Sequence, residues 1–155
     1  MGNKVASFVV DRPPTGKGRP RFTRTGHAYT PKKTKEMEEY IEWCYTRQCG
    51  DIVFDDMVHV EIVAYMPIPK QTTKGVLAWL KDAVLVYAPK KPDIDNITKM
   101  VLDALNGVAY PDDRSIVSMS VSKLYDADYP SGRVLVTINN VENIGKDGEE
   151  VWMKM

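Results

Sequence analysis

Cysteine is scarce in this chain: Cys44 and Cys49 are the only two in 155 residues. Five apart in a segment of helical character, they point to well-separated sides of the axis. That excludes a disulfide within the helix. His27 and His59 stand alone, so no cysteine–histidine spacing suits zinc. Net charge is absent too: 21 Lys and Arg balance 21 Asp and Glu. The total therefore favours no partner of either sign. Long apolar runs are missing, both the length of a signal peptide at the N-terminus and the length of a membrane span. The expected location is the cytoplasm, with no membrane partner.

What the chain has is uneven charge. Between Arg12 and Lys35 stand eight basic residues, Arg12, Lys17, Arg19, Arg21, Arg24, Lys32, Lys33 and Lys35, and no acidic one. Such a segment makes a local anion-binding field in a neutral protein. The opposite bias lies at the end, where Glu142, Asp147, Glu149 and Glu150 mark an acidic tail. The length suits a single domain, residues 1–155, with 141–155 expected to be weakly ordered.

Periodicity supplies the elements. Val5 to Val10 reads as a first strand. Arg12 to Thr30, with Pro13-Pro14, Gly16, Gly18 and Arg19-Pro20-Arg21, reads as a loop. Pro31 should open a helix behind Thr30 as cap, running to about Gln48, with Met37, Tyr40, Ile41, Cys44 and Tyr45 on one face and Gly50 as its stop. Val58, Val60, Ile62 and Ala64 alternate in a strand from Met57 to Met66. A short amphipathic helix is expected over Thr73 to Ala83 around Val76, Leu77 and Leu80, then a short apolar segment over Val84 to Ala88. A third helix, capped by Asp93 or Asp95, should span Asn96 to Leu105 and close at Gly107. Ser115 to Tyr125 and Arg133 to Asn140 read as strands. Pro130-Ser131-Gly132 suggests an antiparallel connection between them. Trp152 is a docking candidate in the tail. The fold class is α+β: a small mixed sheet of about four strands with helices packed on one side.

The chemistry concentrates in Lys91-Pro92-Asp93-Ile94-Asp95-Asn96-Ile97-Thr98-Lys99 and in Asp112-Asp113. Asp93 and Asp95, two apart before a helix, can converge on one cation. The helix should bury Ile97, Met100, Val101, Ala104 and Leu105. Its other face carries Asp95, Lys99 and Asp103, so Lys99 lies one turn from Asp95. A loop at Asp112-Asp113 can fold back to add a third carboxylate. Hard oxygen ligands suit magnesium, and a nearby lysine suits a phosphate substrate. Each part alone has a plainer reading: a helix cap, an i,i+4 ion-pair ladder, a turn. The combination points to a metal-dependent enzyme acting on phosphodiesters. A calcium EF-hand loop is excluded because Ile97 and Thr98 stand where it needs an oxygen ligand and a glycine. An aspartyl-phosphate phosphatase needs an unbroken strand where Pro89-Lys90-Lys91-Pro92 intervenes. Nothing suggests the nucleotide-binding half of a sugar transferase.

The pattern resembles the RusA-type Holliday junction resolvases, small endonucleases typical of phages and prophages. The likeness rests on Lys91-Pro92-Asp93-Ile94-Asp95-Asn96, Lys99, Asp103-Ala104-Leu105-Asn106-Gly107 and Asp112-Asp113. Pro13-Pro14, Lys17 and Arg19-Pro20-Arg21 support it, over roughly Val5 to Asn140. The resemblance implies a homodimer that makes paired, symmetric nicks in four-way DNA during recombination and repair. It implies magnesium as cofactor, with manganese able to stand in, and no small-molecule cofactor. Asp93, Asp95 and Asp113 would be the metal-binding carboxylates and Lys99 the catalytic lysine. Lys17, Arg19, Arg21, Arg24 and Lys91 would contact DNA. Pro111 departs from the family pattern, so Asp112 could share the role of Asp113. Two other readings stand beside this one: a nuclease selective for flaps or forks, and a catalytically silent junction-binding protein. The last is disfavoured, because capping a helix needs one carboxylate and this segment supplies several.

Overall fold

The computed structural model describes residues 3–70, 73–83 and 85–151. In chain order these form β1 (Val5–Val10), the short pair β2 (Arg21–Phe22) and β3 (Ala28–Tyr29), α1 (Lys32–Cys49) and β4 (Val58–Tyr65). Then come α2 (Thr73–Asp82), α3 (Ile94–Leu105), β5 (Ile116–Leu124), β6 (Arg133–Asn140), β7 (Asn143–Ile144) and β8 (Glu150–Val151). The main sheet has four strands in the order β1-β6-β4-β5. β6 runs antiparallel to both neighbours, and β4 and β5 run parallel. This is the mixed α+β sheet the sequence anticipates.

Alternation decides which face is covered. Ala6, Phe8 and Val10 of β1, Val58, Val60, Ile62 and Ala64 of β4, and Val134, Val136 and Ile138 of β6 are all buried. They share one core with Ile41 and Tyr45 of α1 and Met100, Val101 and Leu105 of α3. Phe8 meets Tyr45 edge to face at 5.4 Å between ring centres. A smaller cluster of Ala64, Met66, Val86, Ala88, Ile97 and Tyr125 lies under the first turn of α3 and fixes its N-terminal end.

Several expectations are corrected. β5 and β6 run antiparallel as expected, but they are not paired, because β4 lies between them. The chain from Tyr125 to Gly132 crosses the end of β4 instead. Gly132 makes this passable: its φ is 85°, and a Cβ there would come within 2.8 Å of the Tyr65 carbonyl. Ile68 N–H donates to Pro130 O (2.9 Å) and ties the crossing down. Thr30 does not cap α1. Pro31 occupies the flanking position with ψ 143°, so the helix starts at Lys32 with no side-chain cap. Thr34 supplies the nearby hydroxyl, and it accepts from Gly18 N (3.0 Å). The stretch from Arg12 to Thr30 is not wholly loop, since β2 and β3 pair as a small hairpin. The tail pairs β7 with β8. The side chains of Val76 and Leu77 and the docking of Trp152 fall outside the described residues.

The two edges of the main sheet differ. At β1, the Gln48 side chain accepts from Val9 N (2.8 Å) and donates to Val9 O (2.7 Å), so α1 satisfies both outer backbone groups of Val9. Cys49 Sγ adds a contact to Ser7 O at 3.5 Å. At β5, only the far end is paired, by Ala88 N to Lys123 O (3.0 Å) and Tyr125 N to Val86 O (2.9 Å). The length from Ile116 to Ser122 has no strand on its outer side among the described residues. Val117 is 50% and Met119 45% exposed there.

Candidate active site

Helix α3 is built as its periodicity requires: Ile97, Met100, Val101, Ala104 and Leu105 are buried, and the opposite stripe faces outward. Its first residue is Ile94, with Asp93 in the cap position. The Asp93 carboxylate makes no capping hydrogen bond, so it does not serve the helix it precedes. Asp95 Oδ1 accepts from Asn96 N (2.9 Å), which leaves its second oxygen unengaged by the backbone.

The loop after α3 returns tightly. Gly107 (φ 77°) donates to Tyr110 O (2.8 Å), and the Tyr110 hydroxyl donates to Leu102 O (2.9 Å). Ala109 and Tyr110 are buried, and Phe54 N–H donates to Ala109 O (2.8 Å). These anchors carry Asp112 and Asp113 back alongside α3. The two aspartates then divide. Asp112 Oδ1 accepts from Arg114 N (3.1 Å) and caps the 3-10 turn Asp113–Ser115. Asp113 lines a cleft of about 480 Å³ together with Asp95, Lys99 and Asp103. Ile94, Leu102, Met119 and Val121 form its apolar walls, with Thr98 between. Asp93 lines a neighbouring cleft that shares Ile94 and Val121 with the first. So Asp95, Lys99 and Asp113 come together, Asp93 adjoins them, and Asp112 is turned to the backbone.

Lys99 is the telling side chain. The plain reading made it one rung of an ion-pair ladder with Asp95 and Asp103. Among the described residues the ion pairs belong to Lys17 and Lys32, and Lys99 makes none. Asp103 is engaged elsewhere: its Oδ2 accepts from Lys17 Nζ, and Glu38 Oε1 lies 3.1 Å from the same ammonium. Lys17 was expected to reach DNA. Its ammonium instead sits between α1 and α3, and Lys17 N–H donates to Asn96 O (3.2 Å). The glycines beside it allow the close approach. A Cβ on Gly16 would lie 3.1 Å from Pro92 Cβ, and one on Gly18 would lie 2.6 Å from Thr34 Oγ1. Arg19, Arg21, Arg24 and Lys91 are exposed.

A family model described as endodeoxyribonuclease RusA matches residues 11–139. The chain belongs to the RusA endodeoxyribonuclease family. It is also 33% identical over 138 residues to the uncharacterized protein YqaN of Bacillus subtilis strain 168, covering 86% of this chain and 95% of that one. Membership in the RusA family implies endodeoxyribonuclease activity on branched DNA and a divalent metal in the site. No described helix is long and apolar enough to cross a membrane.

The donor set of this RusA-family site fits a hard cation in kind. Magnesium takes one or two carboxylates and completes its shell with water and phosphate oxygens. Asp95 offers such oxygens in the first turn of α3, where the helix dipole also favours phosphate, and Asp113 faces the same cleft from the turn that follows. Among the described residues, no three His, Cys, Asp or Glu side chains are grouped closely enough to hold an ion by themselves. Crowding is nevertheless felt. Burial pushes the Asp113 carboxyl above its usual range, the charges on Asp103 and Asp112 push it further, and Lys17 opposes them. A cation in the cleft would relieve that repulsion. The pairing of Asp103 and Glu38 with Lys17 is what sequence reasoning missed. Asp103 was visible on the right helix face, but its partner Lys17 lies 86 residues away.

Proposed function

We propose that this chain is a magnesium-dependent junction endonuclease that resolves four-way DNA by paired symmetric nicks as a homodimer in the cytoplasm. One observation carries the reading: Lys99 has no ion-pair partner among the described residues, yet shares a cleft with Asp95 and Asp113. An exposed ammonium that makes no ion pair, in a cleft with two carboxylates, is available to meet a phosphate.

In this reading Asp95 and Asp113 would hold the magnesium ion, with Asp93 from the adjoining cleft and water and phosphate oxygens completing the shell, and manganese could replace it. When bound, the metal polarises the scissile phosphate and lowers the pKa of a water. Lys99 offsets the negative charge that grows on the phosphate or the leaving oxygen. Ile94, Leu102, Met119 and Val121 narrow the cleft and limit bulk water. Arg19, Arg21, Arg24 and Lys91 bind the phosphate backbone, while Lys17 anchors the arm that bears the arginines. The open length of β5 supports the dimer, since an unpaired strand with exposed Val117 and Met119 is a ready surface for a second copy.

The test is a substrate panel. Purified protein with magnesium meets four-way, flap, fork and linear DNA of identical arms. Paired nicks in the four-way DNA alone are expected. Preference for flaps or forks would replace the junction with those substrates. Tight junction binding with no cutting in magnesium or manganese would leave a DNA-binding protein without activity.

A further inference from the structure

The basic arm carries a feature that neither the fold nor the cleft uses. β2 and β3 pair Arg21 with Tyr29 and Phe22 with Ala28. Phe22 is 70% exposed, although aromatic rings usually bury themselves. Its cross-strand partner is alanine, too small to cover the ring. The hairpin is nonetheless ordered by its own bonds. Thr23 N–H donates to His27 O (2.9 Å), Gly26 N–H to Thr23 O (3.0 Å), and His27 N–H to Thr23 Oγ1 (3.2 Å). Gly26, at φ 85°, supplies the left-handed turn residue. The base of the hairpin is fixed as well, because Gly16, Lys17 and Gly18 are seated against Asn96 of α3 and Thr34 of α1. Arg19, Arg21 and Arg24 flank Phe22 in sequence, and residues 12–35 contain no carboxylate.

An exposed ring on a stiff basic hairpin, tied to the helix that carries Asp95 and Lys99, has the chemistry of a stacking element for DNA. We propose that Phe22 stacks on a base exposed at the branch point while Arg19, Arg21 and Arg24 hold the flanking phosphates. The occupant is fixed by charge: three exposed guanidiniums suit a polyanion, and the ring suits a base face. The selectivity follows from stacking. In linear duplex every base is already stacked on both sides, so a wedge must first separate a step. At a branch the stack is interrupted, and the ring finds a base face at little cost. Phe22 thus favours branched over linear DNA without reading sequence. The proposal rests on the reading of the chain as a branched-DNA nuclease.

The experiment uses the full chain and a four-way junction carrying 2-aminopurine beside the branch point, without divalent metal. Wild type should raise the fluorescence and bind the junction at least tenfold more tightly than linear DNA of the same arms. Phe22→Ala should lose the fluorescence rise and about tenfold in junction affinity, with linear-DNA affinity and Tm unchanged. Phe22→Trp should restore both. The slope of log affinity against log salt should be the same in Phe22→Ala, and shallower by about one for Arg21→Ala or Arg24→Ala. If wild type prefers the junction and cuts it, yet Phe22→Ala keeps the preference and the fluorescence, the stacking role is overturned. If wild type shows no preference for branched DNA, the nuclease reading fails first.

Discussion

At the β1 edge Gln48 occupies both backbone groups of Val9, whereas at the β5 edge Ile116 to Ser122 lies open beside the cleft of Asp95, Lys99 and Asp113. One edge is finished by the chain itself. The other is unfinished, and the cleft lies beside it. The contrast sets the edge that α1 covers against the edge that borders the proposed site in a single four-stranded sheet. The main core stands over β1, β6 and β4, while β5 keeps apolar side chains half in water.

Substitutions can break that contrast. The largest effect should come from Phe8→Ala on the finished side, which removes a fully buried ring from its contact with Tyr45. A loss of about 3–5 kcal/mol is expected, read by urea denaturation, with normal nicking per folded molecule. Asp113→Asn on the open side should do the reverse. Nicking of four-way DNA should fall by about 10²-fold or more, while the melting curve is kept; a mutant cutting at the wild-type rate removes Asp113 from the site. Val117→Lys puts a charge on the open strand outside the cleft. Sedimentation should show self-association weakened by about tenfold, or about 1.4 kcal/mol, with stability within about 0.5 kcal/mol of wild type. Gln48→Ala sharpens the comparison from the closed side. Water can replace its two hydrogen bonds, so stability should drop by only about 1 kcal/mol. The freed edge should instead reveal itself as concentration-dependent aggregation in light scattering.

The smallest effect concerns Lys17, which ties the arm to both helices. Burial works against its charge, but Asp103 and Glu38 outweigh burial and hold its pKa above the ordinary 10.5. A raised folded pKa stabilises fully below the unfolded value and is lost as pH rises through the folded one. Lys17→Met should therefore lower Tm by a few degrees at most at pH 7. The gap from wild type should close at alkaline pH, beginning near 10.5; a gap that persists there would mean packing, not charge, holds Lys17.

Local pattern made most of this fold legible. Alternation in Val58, Val60, Ile62 and Ala64 marks β4, and the 3.6-residue period of Ile97 to Leu105 marks α3, because each signal sits in adjacent residues. The failures share a cause. Pro130-Ser131-Gly132 resembles a hairpin turn locally, but whether β6 pairs with β5 or with β4 is decided by residues far away. Likewise Asp95, Lys99 and Asp103 look like a ladder until Lys17 draws Asp103 off. The role of Asp112 was unreadable for a smaller reason: neighbouring identical carboxylates differ only in which one the backbone recruits, here through Arg114 N.

The central place of β6 has one more consequence. β6 joins β1 to β4, yet it is the last long strand to leave the ribosome. Until residues 133–140 emerge, β1 has no partner and the pair β4–β5 has one bare flank. The four-stranded sheet can therefore be completed only once β6 is present to join β1 to β4. A nascent or prematurely stopped chain ending before Arg133 carries every residue of the cleft on a scaffold that cannot close.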